Sequence, residues 1–207
     1  MNMDQLLRLV GTEPVFESSL LLAGRVAPPV VQLQLSRWVK AGKLVQLRRG
    51  LYALAEPYAK TAPHPFLVAN RLCRPSYVSL QSALAWHGLI PEHVPAVTSM
   101  TSGRPRACRT GLGDYRFRHI KTAEFRGYRR IEVQPGQFAF VACPEKSLLD
   151  LLHLTPGADA ESYLRELRLQ NLAALDVATL RRMAQRWGSA KLRRAAERVA
   201  ALKQEAA

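Results

Sequence analysis

Residues 28–54 read Pro-Pro-Val-Val-Gln-Leu-Gln-Leu-Ser-Arg-Trp-Val-Lys-Ala-Gly-Lys-Leu-Val-Gln-Leu-Arg-Arg-Gly-Leu-Tyr-Ala-Leu, and the spacing of their apolar side chains changes at Gly42. Before this glycine the apolar positions share one face of a helix: Val31, Leu35, Trp38 and Val39. The two prolines suit the first turn of that helix, and the glycine is placed to end it. After it, residues 44–48 and 51–54 have a strand-like pattern and are joined by a tight turn at Arg49-Gly50. The stretch therefore predicts a helix followed by a β-hairpin.

Two shorter helices are predicted upstream of this stretch. Residues 3–10 have a helical spacing of leucine and valine and are stopped by Gly11. Apolar residues from Phe16 onward predict a second helix, which Gly24 would close. Three helices followed by a hairpin is the pattern of a winged helix-turn-helix, and we predict such a DNA-binding domain over residues 1–56.

The third helix carries polar side chains away from its apolar face. In a winged helix this element fits the DNA major groove, where glutamine and arginine can bind base edges, while the wing reaches the flanking backbone. The predicted contacts from this domain are Gln32, Gln34, Ser36, Arg37 and Lys40 on the helix, with Arg48 and Arg49 at the tip of the wing. A solvated helix face, or a surface for protein contact, is the alternative interpretation of the same residues.

A change in composition after residue 56 marks a domain boundary. Residues 57–65 include three prolines and have no periodicity, which predicts an extended linker. Beyond it we predict helices at 66–73, 79–87 and 144–154 and strands near 94–101, 114–120, 128–133 and 137–142. These elements make an α+β core over residues 66–155, followed by a helical tail over residues 156–207 that is broken at Gly188. The predicted fold class is α+β, with the larger domain spanning residues 66–207.

The charge of the chain favours a polyanionic partner. It has 30 Lys and Arg against 16 Asp and Glu, a formal net charge of +14. The positive charge is densest from Arg104 to Arg130, so Arg104, Arg106 and Arg109 are added to the predicted DNA contacts. A membrane surface is the competing polyanion, and a merely solvated basic face is the alternative to both.

Several stretches of the larger domain resemble a known family. They are Tyr77-Val78-Ser79-Leu80-Gln81-Ser82-Ala83-Leu84, Trp86-His87-Gly88-Leu89-Ile90-Pro91-Glu92, the segment from Thr98 to Arg106, Phe117-Arg118-His119-Ile120, Phe125-Arg126-Gly127-Tyr128, and Pro144-Glu145-Lys146-Ser147-Leu148-Leu149-Asp150. In order and spacing they resemble the AbiEi antitoxins of type IV toxin-antitoxin systems, as do the predicted turn and wing, so that the resemblance spans about residues 3–155. Ser147 replaces the family's usual alanine, Trp38 stands where an aliphatic residue is commoner, and the recognition helix shares little detail, so no operator sequence carries over.

This resemblance implies a function. AbiEi antitoxins repress their own promoters through inverted repeats in double-stranded operator DNA, and they neutralise a nucleotidyltransferase-type toxin encoded alongside. The C-terminal domain is needed for the antitoxin effect. Glu145, Lys146 and Asp150, which lie in the motif that opens a predicted helix, are the candidates for antitoxin function, through helix capping or partner contact rather than catalysis.

Other classes of function find little support in the residues. No Asp or Glu is followed by Lys two positions later, as a common nuclease motif requires, and the five histidines lack metal-ligand spacing. Cys73, Cys108 and Cys143 are odd in number and far apart, which suits a reducing compartment. No apolar run approaches the about 18 residues that cross a membrane. We therefore expect a cytoplasmic protein with no catalytic residues, metal or cofactor; a nuclease-like DNA-processing enzyme and a non-specific nucleic-acid-binding module are the alternatives.

Overall fold

The computed structural model of the chain describes residues 1–22, 27–92 and 94–205. These residues form eight α-helices and nine strands in two sheets, so the mixed α+β class predicted from the sequence is confirmed. The smaller sheet has three strands, in the order β1 (Phe16–Glu17), β3 (Leu51–Leu54) and β2 (Leu44–Arg48). The larger sheet has six, in the order β6 (Arg106–Thr110), β7 (Gly113–His119), β5 (Ala96–Thr101), β4 (Tyr77–Val78), β9 (Gln137–Ala142) and β8 (Tyr128–Gln134).

The N-terminal residues form two helices and the three-stranded sheet. Helix α1 (Met3–Val10) begins with a capping box in which Asn2 and Gln5 bond each other's backbone N–H. Helix α2 (Pro28–Lys40) has proline in its first turn, as predicted. Strands β2 (Leu44–Arg48) and β3 (Leu51–Leu54) pair as an antiparallel hairpin around Gly50, whose φ of 79° suits glycine. Both predicted strands are thus present.

The predicted second helix is wrong as an α-helix. Strand β1 (Phe16–Glu17) pairs with Leu51 and Tyr52 of β3, and a 3₁₀ helix follows at Ser18–Leu22. The Ser18 N–H donates to the Gly50 carbonyl at 2.9 Å. Pairing with a distant strand therefore overrides the helical spacing of the local sequence. The predicted helix end at Gly24 lies outside the described residues.

Helices precede, connect and follow the strands of the larger sheet. Its strands are β4 (Tyr77–Val78), β5 (Ala96–Thr101), β6 (Arg106–Thr110), β7 (Gly113–His119), β8 (Tyr128–Gln134) and β9 (Gln137–Ala142). Its helices are α3 (Pro65–Leu72), α4 (Leu80–Trp86) and α5 (Pro144–Leu154), with a 3₁₀ helix at Thr122–Glu124. The predicted strands and helices of this core are all present, but β4 and β6 were not predicted. The first has two residues, and the second is a polar edge strand with little apolar alternation.

The tail is helical and is broken at Gly188, as predicted, and its described residues contain three α-helices, of which the first is the shortest. Helix α6 (Glu161–Glu166) is short and is followed by a 3₁₀ helix at Leu172–Ala174. Helices α7 (Val177–Trp187) and α8 (Ala190–Glu205) are separated at Gly188, which has the left-handed φ of 74°.

Strand β3 of the smaller sheet contributes side chains to two hydrophobic cores. One core lies between α1, α2 and the small sheet and includes Tyr52 and Leu54. The other fills the larger sheet and its helices, and it also takes up Leu51 and Ala53. In the predicted linker, Tyr58 and Ala59 pack against the N-terminal core, the Ala62 carbonyl accepts from the Gln137 side-chain amide of the larger sheet, and Pro65 begins α3. In the described residues, none of the helices is both long and apolar enough to cross a membrane.

Candidate nucleic-acid interface

Helix α2 has one buried and one exposed face, and the division follows its apolar spacing. Val31, Leu35 and Trp38 are 3%, 1% and 6% exposed in the N-terminal core. Since these side chains fix the rotation of the helix, the predicted DNA contacts turn outward. Gln32, Ser36, Arg37 and Lys40 are exposed, and Gln34 is half-buried. The structure therefore brings five of the predicted residues onto the outer part of one helix.

The two arginines at the hairpin turn have different surroundings. Arg48 donates one guanidinium N–H to the Arg49 carbonyl at 3.1 Å and another to the Arg71 carbonyl at 3.4 Å, and it lies 4.0 Å from the Glu17 carboxylate. It is therefore held between the hairpin and helix α3. The Arg49 side chain is exposed at the tip and makes no ion pair with the described residues. Arg49 is thus the freer of the two to contact a ligand.

The charge of this region has one sign. From Ser18 to Ala55 the sequence contains six Lys and Arg and no Asp or Glu. Five of these cations lie in α2, the hairpin and their connection: Arg37, Lys40, Lys43, Arg48 and Arg49. The helix and hairpin therefore form a surface that attracts phosphate groups.

A second basic hairpin, formed by β6 and β7, lies beside the first. Strand β2 contacts β6, and Val45 lies against Gly111 in the β6–β7 turn. Two arginines predicted to contact DNA are engaged within the chain. Arg106 donates to the Leu72 carbonyl at 2.5 Å and lies over the Phe117 ring, and Arg109 pairs with Asp114 at 3.2 Å.

The third of these arginines, Arg104, precedes β6 and is exposed. It has no ion pair within the described parts of the chain. Among the described residues, the Arg104 guanidinium therefore makes fewer contacts than those of Arg106 and Arg109.

The residues proposed for antitoxin function form a buried network instead of a surface. Glu145, Lys146 and Asp150 are 6%, 2% and 0% exposed in helix α5. The Lys146 ammonium lies 2.5 Å from one Asp150 oxygen, and the other oxygen accepts from the hydroxyls of Ser79 at 2.7 Å and Tyr77 at 3.0 Å. Every charged oxygen of this carboxylate therefore has a donor, as burial requires.

Three of the motifs quoted from the sequence meet at this network. Tyr77 stacks on Tyr128 with ring centroids 4.6 Å apart. Gly127 lies against Lys146, so closely that a Cβ there would approach the Lys146 Cγ at 3.1 Å. The Cys143 N–H donates to the Gly127 carbonyl at 2.9 Å. These contacts were not predicted from the sequence, although the presence of the three motifs in one core domain was a signal for them.

Helix α7 of the tail also contacts this network. The Lys146 ammonium lies 4.2 Å from the Trp187 ring centroid in α7. The Glu145 carboxylate accepts from the backbone N–H of Asp176, the residue that caps the start of α7. Glu145 thereby fixes the first turn of α7 against α5. Lys146 and Glu145 thus hold the helical tail on the core.

Burial governs the protonation of these groups. It raises the pKa of Asp150, against the opposing effects of the Lys146 ammonium and the hydroxyl donors, and it lowers the pKa of Lys146 against the attraction of Asp150. Burial and the nearby Asp150 raise the pKa of the Tyr77 phenol. Burial also raises the pKa of the Cys143 thiol to about 11, and a thiol that stays protonated at neutral pH is a weak nucleophile.

Neither metal-binding residues nor similar proteins identify a ligand or a reaction for this site. In the described residues there is no group of three or more His, Cys, Asp or Glu that could hold a metal ion. No family model matches the chain, and no curated protein matches it. The chain is similar in structure to the RV2827C protein from Mycobacterium tuberculosis, at 18% sequence identity and a TM-score of 0.54, over 97% of this chain and 78% of that one. At this identity the likeness concerns the fold alone.

Proposed function

We propose that the chain is a sequence-specific DNA-binding antitoxin of the AbiEi type, which represses its own promoter and counteracts a nucleotidyltransferase-type toxin. Residues 1–56 act as a winged helix-turn-helix, with α2 as the recognition helix and the β2–β3 hairpin as the wing. The operator is double-stranded DNA with inverted repeats, and the protein works in the cytoplasm. This proposal treats the protein as a regulator without catalytic activity.

The observation that carries the proposal is that α2 lies beside a hairpin and that residues 18–55, which contain both, include six Lys and Arg and no Asp or Glu. At 1.5 Å per residue, the 13 residues of α2 give a helix about 20 Å long, which suits the major groove. Its exposed Gln32 and Arg37 can bind base edges, and Lys40 can bind phosphate. Arg49 at the hairpin tip can reach the backbone beside the groove.

The buried network suggests how the larger domain contributes to antitoxin function. Lys146 and Asp150 are enclosed, so a toxin cannot touch them without unfolding that part of the domain. Their function in this proposal is to hold α5, β4 and α7 in one arrangement. Substitutions there would disturb the antitoxin effect through the shape of the domain.

The DNA half of the proposal is tested by fluorescence anisotropy with the full chain and a labelled duplex from the region upstream of its gene. We expect Gln32→Ala and Arg37→Ala to reduce discrimination against a scrambled duplex by about 1–3 kcal/mol for each lost base contact. Arg49→Ala should instead weaken both duplexes alike. Arg193→Ala, which removes an exposed helical arginine from the tail, is the matched control and should change neither.

Other outcomes would favour other functions. Unchanged binding in all three variants would exclude α2 and the hairpin as the interface. Equal affinity of the wild type for both duplexes would favour a non-specific nucleic-acid module that uses the basic β6–β7 region. Magnesium-dependent nicking of plasmid DNA would favour a DNA-processing enzyme.

The antitoxin half is tested in cells that express the toxin from the neighbouring gene. We expect the full chain to restore growth, and the DNA-contact variant Arg37→Ala to restore it as well when both genes are under a foreign promoter. Failure of the wild-type chain to restore growth would contradict the antitoxin function without bearing on DNA binding.

A further inference from the structure

We propose that a cleft between the loop Thr12–Pro14 and the outer face of strands β8 and β9 binds a nucleotide, with its base on aromatic side chains and its phosphate on arginines. The cleft has a volume of about 780 Å³, within the usual range for small-molecule sites. Helix α3 forms one wall. No residue of α2 or of the β2–β3 hairpin lines it, so this inference is independent of the proposed DNA interface.

Aromatic rings form the floor of the cleft. Tyr128 and Phe140 lie edge to face with centroids 5.8 Å apart, and Phe125 contacts Tyr128 at 5.2 Å. Phe140 remains 43% exposed although its neighbours in β9 are buried. With Phe138, the cleft is lined by three of the six phenylalanines of the chain. Partly exposed aromatic rings in a concave site are the usual platform on which nucleic-acid bases stack.

Arginines stand around this platform. The Arg130 guanidinium lies over the Phe138 ring, 3.8 Å from its centroid, and a guanidinium in contact with an aromatic ring can still donate N–H groups to an anion. Arg71 and Arg74 line the same cleft, and their contacts to Glu13 at 3.8 Å and Glu17 at 3.5 Å are long ion pairs. Phosphate oxygens could replace such contacts through bidentate hydrogen bonds.

The combination of features identifies the class of ligand. The three guanidinium groups have two carboxylates beside them, those of Glu13 in the lining and of Glu17 next to Arg74, so the cleft keeps an excess of positive charge that favours an anion. Inorganic phosphate would engage the arginines and leave the aromatic floor uncovered, whereas a nucleotide engages both. The same chemistry is offered by a free nucleotide and by one unit of a single-stranded nucleic acid.

The test is isothermal titration calorimetry of the full chain with AMP, GMP, adenosine, inorganic phosphate and a short single-stranded oligonucleotide. Two exposed side chains are changed, by Phe140→Ala and by Arg130→Gln. The control is Arg129→Gln, because Arg129 is exposed on the opposite face of the same strand and does not line the cleft. Circular dichroism and thermal unfolding verify that each variant is folded.

We expect saturable binding of a nucleotide that Phe140→Ala and Arg130→Gln each weaken by at least about fivefold, and that Arg129→Gln leaves within about twofold. Binding of AMP or GMP identifies a free nucleotide as the ligand; binding of the oligonucleotide alone, with the same sensitivity to the variants, identifies a single strand. The inference is overturned if no nucleotide or oligonucleotide binds. It is also overturned if Arg129→Gln and Arg130→Gln weaken binding equally, or if phosphate alone binds as tightly as AMP.

Discussion

At the scale of single residues, the central feature is the Asp150 carboxylate, which is fully buried and accepts from Lys146, Ser79 and Tyr77. A charged pair in this position contributes little net stability, because desolvation opposes its attraction. The pair has a larger effect on which elements pack together, because the donors to Asp150 come from three places. Lys146 lies in helix α5, Tyr77 lies in strand β4, and Ser79 directly follows β4. Removing one partner leaves the other charge buried and unpaired.

Asp150→Ala should therefore lower the free energy of unfolding by about 3–5 kcal/mol, as measured by urea denaturation. The matched control is Glu161→Ala, which breaks another helical ion pair four residues apart, between Glu161 and Arg165, on the surface. Glu161→Ala should leave the urea midpoint nearly unchanged. Equal effects of the two substitutions would contradict the importance assigned to the buried network.

Two histidines make the stability depend on pH. Burial lowers the pKa of His64 and, with nearby cations, that of His153. Their neutral forms are favoured by folding, so the stability that they contribute is present above the ordinary histidine pKa and is lost as the pH falls through the lowered one. His64 also accepts the Phe66 N–H at the start of α3, which a proton on that nitrogen would prevent.

We expect the urea midpoint of the wild type to fall between about pH 7.5 and about pH 5.5, a window that spans histidine titration. His64→Asn keeps a capping acceptor without the titration, and it should fall less over the same range. An identical fall in both proteins would exclude His64 as a contributor.

At the scale of elements, the sequence was informative wherever apolar spacing alone decides the structure. The helix over Pro28–Lys40, the hairpin after Gly42 and the helix over Pro144–Leu154 could all be predicted, because each has a clear period and boundary residues. The strand Phe16–Glu17 could not, since it exists through pairing with β3, a contact that local spacing does not encode. Strand β6 was missed for a related reason, as an edge strand buries few side chains.

Two glycines end or join elements with similar backbone angles but in different surroundings. Gly127, before β8, has φ of 76° and lies against Lys146, whereas Gly188, after α7, has φ of 74° with no atom within 4 Å of a Cβ position. Gly188→Ala should lower the free energy of unfolding by about 1–2 kcal/mol, the cost of a left-handed alanine. Gly127→Ala should cost more, because it also displaces Lys146. Thermal denaturation distinguishes the two, and a smaller effect at Gly127 would contradict the close packing.

At the scale of the whole molecule, the small sheet joins the two hydrophobic cores. One face of β3 packs with α1 and α2, and Leu51 and Ala53 of the same strand pack into the larger core. The contacts of Arg71 with Glu13 and of Arg74 with Glu17 cross the same boundary. The sequence could not reveal this contact, because the predicted linker gave no sign of which surfaces meet.

We therefore expect the chain to unfold in one transition. Trp38 lies in the N-terminal core and Trp187 in the tail, so variants that retain one or the other as the sole tryptophan report on the two regions by fluorescence. Their urea midpoints should coincide, and Leu51→Ala should lower both together by the equivalent of about 2–5 kcal/mol. Two separated midpoints would show that the regions fold independently.

The outward residues of α2 could be predicted from the sequence, but the contacts of the surrounding residues could not. The outward residues of α2 followed from its apolar spacing, and the structure exposes Gln32, Ser36, Arg37 and Lys40. The engagement of Arg106 with Leu72 and Phe117 depends on long-range packing, so charge counting could not anticipate it. The same is true of the burial of Glu145, Lys146 and Asp150.

The proposal that the chain is a sequence-specific DNA-binding regulator is tested most directly by titrating the full chain against the duplex upstream of its gene and a scrambled duplex, each at two salt concentrations. The account predicts tighter binding to the upstream duplex at both concentrations, with affinity falling as salt rises, because Lys and Arg release counterions from the phosphates. Equal affinities for the two duplexes at each salt concentration would contradict sequence-specific recognition.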